Sequence, residues 1–319
     1  MLDIRLIREN PGVVRKALEK RQADVAVVDS AIALDERRRE ILGEVEKLKA
    51  ERNAVSKEIG RMKDAESRQE KIDAMRAVGD KIKALDDDLR DVDAELTSIM
   101  ATLPNIPSDA TPYGVDESEN PVIKTIGEIP KFDFDPQTHW DMGPALGIID
   151  FERGVKITGS RFYVLSGAGA RLQRALISFM LDLHIKQGYT EKYTPFMVKT
   201  ETVFGAGQLP KFVGNLYKDH EEDLYLVPTA EVPLTGYHMD EIFEEADLPK
   251  YYTAYTPCFR REKMSAGRDV RGIKRGHQFD KVEMYMYVKP EDSDAAFEKM
   301  MADAEEVVKL LGVPYRILQ

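Results

Sequence analysis

Apolar residues recur at intervals of seven, divided into threes and fours, along two stretches of the N-terminal third of the chain. The first series consists of Leu34, Ile41, Val45, Leu48, Val55, Ile59 and Met62. The second follows a polar break around residues 60–69 and consists of Met75, Val78, Ile82, Leu85, Leu89, Val92, Leu96, Ile99 and Leu103. Heptad spacing is typical of helices that pack along a coiled-coil seam. Two such series at 29–103 predict an antiparallel helical hairpin, each helix about 50 Å long.

Residues on either side of the hairpin give weaker signals. Residues 1–28 are expected to begin with a strand or turn, followed by a short helix that starts near Pro11. Pro104 ends the second long helix, because proline cannot continue a helix. The pattern therefore predicts an N-terminal domain at 1–103, and then a linker and loop at 104–138 that are rich in Pro, Gly and acidic residues.

The remaining stretch, 139–319, has the pattern of a globular domain with helices and strands. Amphipathic spacing predicts helices at 171–187 and 292–311. Alternation predicts two long strands on either side of a basic loop. On the second strand one face carries Phe279, Lys281, Glu283, Tyr285 and Tyr287. The predicted fold class is α+β, with an antiparallel α-helical coiled-coil arm followed by an antiparallel β-sheet domain with flanking helices.

Composition narrows the class of protein. With 319 residues the chain can bury a sizeable core, and the 32% of charged residues suits a long solvated helical region. No apolar run approaches the ~20 residues that span a membrane, and the charged N-terminus lacks an apolar signal segment. The single cysteine, Cys258, excludes an internal disulfide and a multi-cysteine zinc site, and is expected to be a small buried residue. These features predict a cytoplasmic protein.

Basic residues concentrate in the loop at 263–276, although the net charge of the chain is −11. The loop sets five of them against the single acidic residue Asp269: Lys263, Arg268, Arg271, Lys274 and Arg275. A local basic patch on an acidic protein can bind phosphate while the rest of the surface repels other polyanions. The net charge alone does not indicate a nucleic-acid partner, but this loop is a candidate contact for one.

The two strands beside this loop carry the most informative chemistry. They contain the runs CFRRE at 258–262 and HQFDKVE at 277–283, with GRDVRG at 267–272 between them. On the first strand Arg260 and Glu262 are two residues apart, so they are expected to share a face. Such a hairpin can present an arginine, an aromatic ring and two carboxylates to one ligand. Phe279 and Glu283 lie roughly 14 Å apart along a strand, a reach that suits an aminoacyl adenylate.

This hairpin resembles motif 2 of the class II aminoacyl-tRNA synthetases, in the form found in the seryl-tRNA synthetase family. The run TAEVPLT at 229–235 resembles the serine-binding loop of that family. Its pattern is also matched by GSRF at 159–162, HWD at 139–141 and MLDIR at 1–5. The similarity extends along the whole chain.

The resemblance implies ATP-dependent activation of L-serine and its transfer to tRNA(Ser), and by family also to tRNA(Sec), through a seryl adenylate. The helical arm would grip the long variable arm of the tRNA, and the basic-loop residues would contact tRNA. The helix at 171–187 and the extended segment after it, with Pro195, correspond to motif 1, which implies a homodimer. The cofactors implied are ATP and Mg²⁺.

The resemblance also implies roles for individual residues at the nucleotide. Arg260 would be the catalytic group, bridging the serine carboxylate and the α-phosphate of ATP. Arg261 would assist in binding ATP, Glu262 would accept from the adenine amino group, and Phe279 would stack on the adenine ring. Metal ions would neutralise the remaining phosphate charge.

For L-serine, the resemblance implies contacts with Thr229, Ala230, Glu231 and Glu283. Thr229 and Glu231 would hold the ammonium group, and Glu283 would meet the hydroxyl. The division of contacts between the two glutamates is left open by the sequence.

Plainer explanations exist for several of these features. Phe279 alone would be expected in a core, and only its motif favours ring stacking. Most heptad repeats merely dimerise, but two series in one chain ahead of a second domain favour a folded-back arm. The histidines lack metal-ligand spacing, so His139 and His277 are expected to be structural hydrogen-bonding residues.

The third motif of the class II enzymes is not recognised after Glu283, so the core is expected to be incomplete and the chain to resemble a C-terminally truncated synthetase. Two other functions therefore stay open. One is a non-catalytic fragment that dimerises or binds tRNA. The other is a synthetase-like ligase that loads an amino acid onto a carrier protein, although such paralogues lack the long arm.

Overall fold

The computed structural model describes residues 1–263 and 271–319 and divides into two compact units. One unit comprises Met1–Pro121 together with Gln319, and the other comprises Val122–Leu318. Among the described helices, none is both long enough and apolar enough to cross a membrane.

The N-terminal unit is helical. Its helices are α1 (Ile4–Glu9), α2 (Pro11–Lys20), α3 (Ala26–Ile59) and α4 (Ala65–Thr102). The expected strand or turn at the start was wrong, because the Asp3 side chain accepts from the Arg5 backbone N–H and caps a helix there. Pro11 begins α2, as predicted. The break between the long helices is shorter than predicted, since Asp64 caps α4 by accepting from the Ser67 N–H.

The helices α3 and α4 pack side by side as the predicted hairpin. The distal seam contains buried Ile41, Val45, Ile82 and Val92. Near the start of α3 and the end of α4, a second cluster joins α1 and α2 to the hairpin through Ile7, Val14, Leu18, Val28, Ala31, Leu96, Met100 and Leu103. The heptad prediction is therefore confirmed, and the base of the arm is part of the core of this unit.

A buried carboxylate that the sequence did not reveal ties α1 to α3. Asp35 is only 2% exposed, and its Oδ2 accepts from Arg8 at 3.3 Å and from Arg39 at 3.0 Å. A buried charge requires such partners, since an unpaired one would be strongly destabilising. The Arg8–Asp35 contact therefore fixes the short first helix against α3, and Arg39 completes the pairing within α3.

The C-terminal unit contains both helices and strands. Its helices are α5 (His139–Ala145), α6 (Phe151–Ile157), α7 (Ala168–Lys186), α8 (Thr200–Gly205), α9 (Glu231–Gly236) and α10 (Ser293–Leu310). Its strands are β1 (Val122–Ile126), β2 (Ile149–Asp150), β3 (Val164–Leu165), β4 (Thr190–Glu191), β5 (Met197–Lys199), β6 (Leu224–Leu226), β7 (Lys250–Phe259), β8 (Gln278–Tyr287) and β9 (Tyr315–Leu318). The α+β fold class with a helical arm is confirmed.

The sheet that carries the site has the order β4-β7-β8. β7 and β8 pair antiparallel over their whole lengths, with Ala254 opposite Glu283 and Cys258 opposite Phe279. β4 adds to β7 in parallel. Smaller antiparallel pairs join β1 to β9, β2 to β3 and β5 to β6. The long predicted hairpin is thus confirmed.

Two predicted helices are observed at nearly their expected bounds. α7 starts three residues before the expected 171, and Gly188 follows it at φ 98°, a backbone conformation that favours glycine. α10 lies within the expected 292–311. Leu172, on the apolar face of the predicted α7, is nevertheless 60% exposed. The sequence did not reveal β1, which lies in the stretch predicted as a linker.

The two faces of β8 pack against different elements. On one face, Asp280 accepts from Tyr255 Oη at 2.8 Å and from the Gln173 side chain of α7. On the other, Tyr285 Oη accepts from Thr235 Oγ1 at 3.1 Å, and Tyr287 Oη donates to the carbonyl of Leu234 at 2.5 Å. The alternation predicted for β8 is confirmed, and it turns Phe279, Lys281 and Glu283 toward α9 and the residues before it.

Candidate active site

The first strand of the hairpin ends immediately before Arg260. β7 ends at Phe259, and the Arg260 N–H donates to the His277 carbonyl at 2.9 Å. Glu262 has φ 49°. The expectation that Arg260 and Glu262 share a strand face was therefore wrong, because the chain leaves the extended conformation between them. These residues are placed by the loop rather than by strand alternation.

Arg260 is held in position from two sides. Its Nε donates to the Pro228 carbonyl at 3.2 Å, and its guanidinium carbon lies 5.1 Å from the centre of the Phe279 ring. Stacking on a ring and one fixed hydrogen bond limit the rotamers of a long side chain. The structure thus brings together the predicted catalytic arginine and the predicted adenine platform.

Arg261 and Glu262 face a different neighbourhood. Arg261 Nε donates to the Leu216 carbonyl at 2.8 Å, and its guanidinium lies 4.6 Å from the centre of the Tyr217 ring. The Glu262 carboxylate is only 12% exposed and forms an ion pair with Arg275 at 3.7 Å. Arg261 is thereby tied to the segment before β6, so its contact with ATP stays a prediction.

The basic loop is only partly described. Lys263, Arg271 and Lys274 are exposed, and Lys263 donates its backbone N–H to Asn215 Oδ1 at 3.1 Å. Arg268, together with the rest of 264–270, lies outside the described residues. Exposed cations suit contacts with a phosphate backbone, but their role toward tRNA stays a prediction.

The two histidines expected to be structural are hydrogen-bonded. His139 Nε2 accepts from the Ile273 N–H at 3.0 Å, and His277 Nδ1 lies 3.0 Å from Tyr217 Oη. Burial, aided by the charge of Arg161, lowers the pKa of His277, so this ring is neutral at physiological pH. Cys258, opposite Phe279 in the hairpin, is fully buried, as predicted, and burial raises the pKa of its thiol.

The run that resembles a serine-binding loop meets the outer strand directly. Thr229 is 2% exposed and donates its hydroxyl to Glu283 Oε2 at 2.5 Å. Lys281 Nζ lies 3.0 Å from Thr229 Oγ1 and 2.5 Å from Glu283 Oε2. We call these three side chains the Thr229–Lys281–Glu283 cluster. It gathers hydroxyl, ammonium and carboxylate groups within hydrogen-bonding distance.

Glu231 stands beside this cluster at the start of α9. Burial raises the pKa of its carboxyl, and the charge of Glu283 adds to the rise. Lys281 and Arg260 oppose it. Within the described part of the chain, no hydrogen bond or ion pair to the Glu231 carboxylate is present. A half-buried carboxylate in this setting suits a cation supplied by a ligand.

Small side chains lie under this face of the hairpin. Opposite Glu283, Lys281 and Phe279, the neighbouring strand carries Ala254, Thr256 and Cys258, which are all fully buried. Small residues here leave the space above the sheet to Arg260, Phe279 and the cluster. The sequence shows that these small residues alternate along the first strand. Which residues of the second strand they lie opposite follows only from the pairing of the two strands.

Lys281 is a residue of the site to which the sequence pattern gave no role. Its position on the same strand face as Glu283 was predicted, yet the contact with Thr229 joins residues 52 apart in the chain. An i, i+2 pair of opposite charges on a strand was the available signal. The whole arrangement can bind a zwitterion with a hydroxyl and hold a phosphate-linked aromatic base near it.

Comparison with known proteins agrees with this chemistry. Residues 213–319 match the class II core domain of tRNA synthetases (G, H, P, S and T). The fold and the site therefore define a class II aminoacyl-tRNA synthetase core. Residues 1–107 match the seryl-tRNA synthetase N-terminal domain. The chain belongs to the seryl-tRNA synthetase family.

Similar proteins come from several organisms. The serine–tRNA ligase of Roseiflexus sp. (strain RS-1) is 62% identical over 99% of this chain and 74% of its own length. The crystal structure of seryl-tRNA synthetase from Pyrococcus horikoshii complexed with ATP has a TM-score of 0.90 and 38% identity, over 100% of this chain and 76% of that one. The cytoplasmic serine–tRNA ligase of Naegleria fowleri in complex with AMP has a TM-score of 0.83 and 31% identity, over 100% of this chain and 74% of that one.

Proposed function

We propose that this protein activates L-serine with ATP and transfers the seryl group to tRNA(Ser). The proposal rests above all on the Thr229–Lys281–Glu283 cluster, which lies on the same face of the hairpin as the Arg260–Phe279 pair. The cluster offers oxygen acceptors to an ammonium or hydroxyl group. Arg260 offers a guanidinium to a carboxylate or phosphate. Serine and ATP together present all of these groups.

In the first step, a carboxylate oxygen of serine attacks the α-phosphorus of ATP. The bond from that phosphorus to the bridging oxygen breaks, and pyrophosphate leaves. Both reactants are anionic, so Arg260 is proposed to hold them together and stabilise the charge that develops. Phe279 would support the adenine ring, with Glu262 accepting from its amino group and Arg261 near the phosphates. No nucleophilic side chain is needed, since the substrate supplies the attacking oxygen.

Magnesium is proposed to enter as part of the nucleotide substrate. The triphosphate carries more negative charge than Arg260 and Arg261 could neutralise, and magnesium prefers phosphate and water oxygens. The ion would withdraw electron density from the phosphate oxygens while these arginines position the nucleotide.

Selection of serine would depend on its hydroxyl. We propose that Thr229 and Glu231 hold the ammonium and that Glu283 accepts from the hydroxyl, with buried Ala230 fixing the turn between them. Alanine would leave these buried acceptors without a donor, which is costly. A site of this kind rejects the substrate that lacks the hydroxyl.

The helical arm would recognise the second substrate. In that step a terminal ribose hydroxyl of the tRNA attacks the seryl carbonyl, and AMP leaves. The arm would follow the shape and backbone of the tRNA, with the basic loop (Lys263, Arg268, Arg271, Lys274 and Arg275) contributing phosphate contacts. A protein that recognises tRNA by shape would accept tRNA(Sec) as well as tRNA(Ser). Both tRNAs reside in the cytoplasm, where the protein is proposed to act.

We further propose a homodimer formed through α7 and the segment after it. In the single chain this region exposes apolar residues that would be buried by a partner: Leu172, Ile185, Tyr193 and Met197. Pro195 is exposed between them. Exposed apolar side chains of this size favour association with a second copy.

Pyrophosphate exchange tests the proposed function directly. The purified protein should incorporate labelled pyrophosphate into ATP when serine is present, and alanine or threonine should support far less exchange. Charging of tRNA(Ser) should follow with the same amino acid. Exchange that is independent of serine, or that prefers alanine, would refute the assignment.

A further inference from the structure

The Lys281 ammonium group lies against oxygens of the proposed amino acid site. Its ammonium contacts Thr229 Oγ1 at 3.0 Å and Glu283 Oε2 at 2.5 Å. These oxygens are the acceptors that the proposed function assigns to serine. A lysine side chain ends in the same group as the amino end of an amino acid, an ammonium with three donors.

We propose that in the free protein the Lys281 ammonium occupies the acceptors that the serine ammonium (Thr229) and hydroxyl (Glu283) would take, and that serine displaces it. The displaced ammonium would then pair with the serine carboxylate, beside Arg260. The inference rests on the proposed function and deepens it, because it makes Lys281 a residue that contacts serine and competes with its ammonium and hydroxyl groups.

The physical reason lies in the cost of an empty polar site. Thr229 is almost fully buried, and the Glu283 side chain is only 19% exposed. A carboxylate and hydroxyl so placed would be destabilising without a cation. Lys281 supplies one until the ligand arrives.

Lys281 can also leave. Its side chain is 33% exposed, and the ammonium sits on a flexible four-carbon stem. A movement of about the length of the ligand would bring the ammonium from the amino end of serine to its carboxylate end, so that no charge is stranded in either state.

Two ligands separate this exchange from a purely structural role. Serine carries ammonium, hydroxyl and carboxylate, whereas ethanolamine carries only the first two. The dissociation constant of each would be measured by NMR titration for the wild type, for Lys281→Met and for Lys289→Met. Lys289 is matched in exposure, at 30%, but pairs with Glu245 away from the cluster.

Lys281→Met should bind serine about 10-fold more weakly, through loss of the carboxylate partner. The same variant should bind ethanolamine at least about threefold more tightly, since the internal competitor is gone. Lys289→Met should leave both constants unchanged, which controls for net charge.

Weakening of both ligands by the same factor in Lys281→Met would overturn the proposal and make Lys281 a structural residue. Unchanged ethanolamine binding in Lys281→Met would also overturn the proposal, as would the finding that serine binds to none of the three proteins. Serine binding with the expected split, but without serine-dependent pyrophosphate exchange, would leave this inference standing and refute the proposed function alone.

Discussion

At the scale of single residues, Arg260 is prepared for its proposed role before any ligand arrives. The Pro228 carbonyl and the Phe279 ring fix its guanidinium, so little reorganisation is needed when charge develops on the phosphate. Arg260→Ala should therefore slow serine activation by about 10²–10³-fold, the usual effect of losing one preorganised donor.

Arg260→Lys provides the matched variant, because it keeps the charge but loses the planar fork. It should recover only part of the rate. Measurement is by pyrophosphate exchange at saturating serine and ATP. Adenylate formation at a near-normal rate in Arg260→Ala would show that another group bridges the two anions.

At Glu231, the negative charge that is proposed to bind serine lowers the stability of the folded protein. Its folded-state pKa is raised, mainly by burial, so its contribution to stability is present below the unfolded pKa and lost as pH rises through the folded pKa. Glu231→Gln should therefore have a higher Tm than the wild type at pH 7, with the difference vanishing below about pH 4. Serine affinity should fall on the order of 10-fold, because a charged acceptor for the ammonium is lost.

Glu283→Gln is the control for this prediction. It removes a carboxylate that already has Thr229 and Lys281 as partners, so its Tm at pH 7 should fall rather than rise. The measurement is a series of thermal melts between pH 3 and pH 8 in the absence of ligand. A Glu231→Gln protein less stable than the wild type at pH 7 would show that its carboxylate has a stabilising partner.

The sequence was sufficient to predict some of these residues and not others. Phe279, Lys281 and Glu283 share a face because β8 is regular, and alternation alone predicted that. Arg260 and Glu262 lie beyond the last residue of β7, where alternate residues no longer point to opposite faces of a sheet. The proximity of Thr229 to Lys281 depends on how α9 packs against the hairpin, and local patterns carry no information about it.

At the scale of elements, the arm was predictable because its seam repeats locally in the chain. The heptads predicted the pairing of α3 with α4, whereas they could not show that Val28, Ala31, Leu96 and Met100 pack against α1 and α2. Those contacts depend on a tertiary arrangement. The base of the arm therefore belongs to a core, and only its distal part is free to be removed.

This division defines a deletion that spares the core. Removing residues 49–80 and joining Leu48 to Lys81 through a short glycine–serine turn should leave serine activation unchanged. Charging of tRNA(Ser) should fall on the order of 10-fold or more, because contacts with the tRNA backbone are lost. The two rates are measured on the same preparation, by pyrophosphate exchange and by aminoacylation.

A control for the turn itself is an insertion of the same glycine–serine residues after Gly60, at the natural end of α3. That insertion should affect neither rate. Loss of activation together with charging in the deletion variant would mean that the arm supports the catalytic unit rather than the tRNA.

At the scale of the whole molecule, the C-terminal unit is closed by a pairing of strands that are far apart in sequence. β1 pairs with β9, and Glu305 of α10 joins them by accepting from Lys124 at 2.8 Å and from Tyr315 Oη at 2.9 Å. The pairing of β1 with β9 was not predictable, since the two strands are separated by nearly the whole unit. These hydrogen bonds, with Lys124 first, lower the pKa of Glu305 to about 2.

A lowered carboxyl pKa makes this closure sensitive to acid. The stability it contributes is present above the unfolded pKa and is lost as pH falls toward 2. Glu305→Gln should have a lower Tm than the wild type at pH 7, and the difference should shrink between about pH 4.5 and pH 2. Glu298→Gln, at an exposed position of the same helix, should melt like the wild type throughout. A constant deficit for Glu305→Gln at every pH would mean that its charge is not involved.

The proposed dimer gives the last test at this scale. Leu172 of α7 is 60% exposed in the single chain and Leu310 of α10 is 58% exposed, so aspartate at either position should leave folding of the chain intact. Only Leu172 lies on the proposed interface. Burial of one leucine is worth about 1.5–3 kcal/mol, and a twofold interface contains the residue twice. Leu172→Asp should therefore raise the dimer dissociation constant by about 10²-fold or more in sedimentation experiments. Leu310→Asp should leave that constant unchanged, and the reverse result would place the interface on α10 instead.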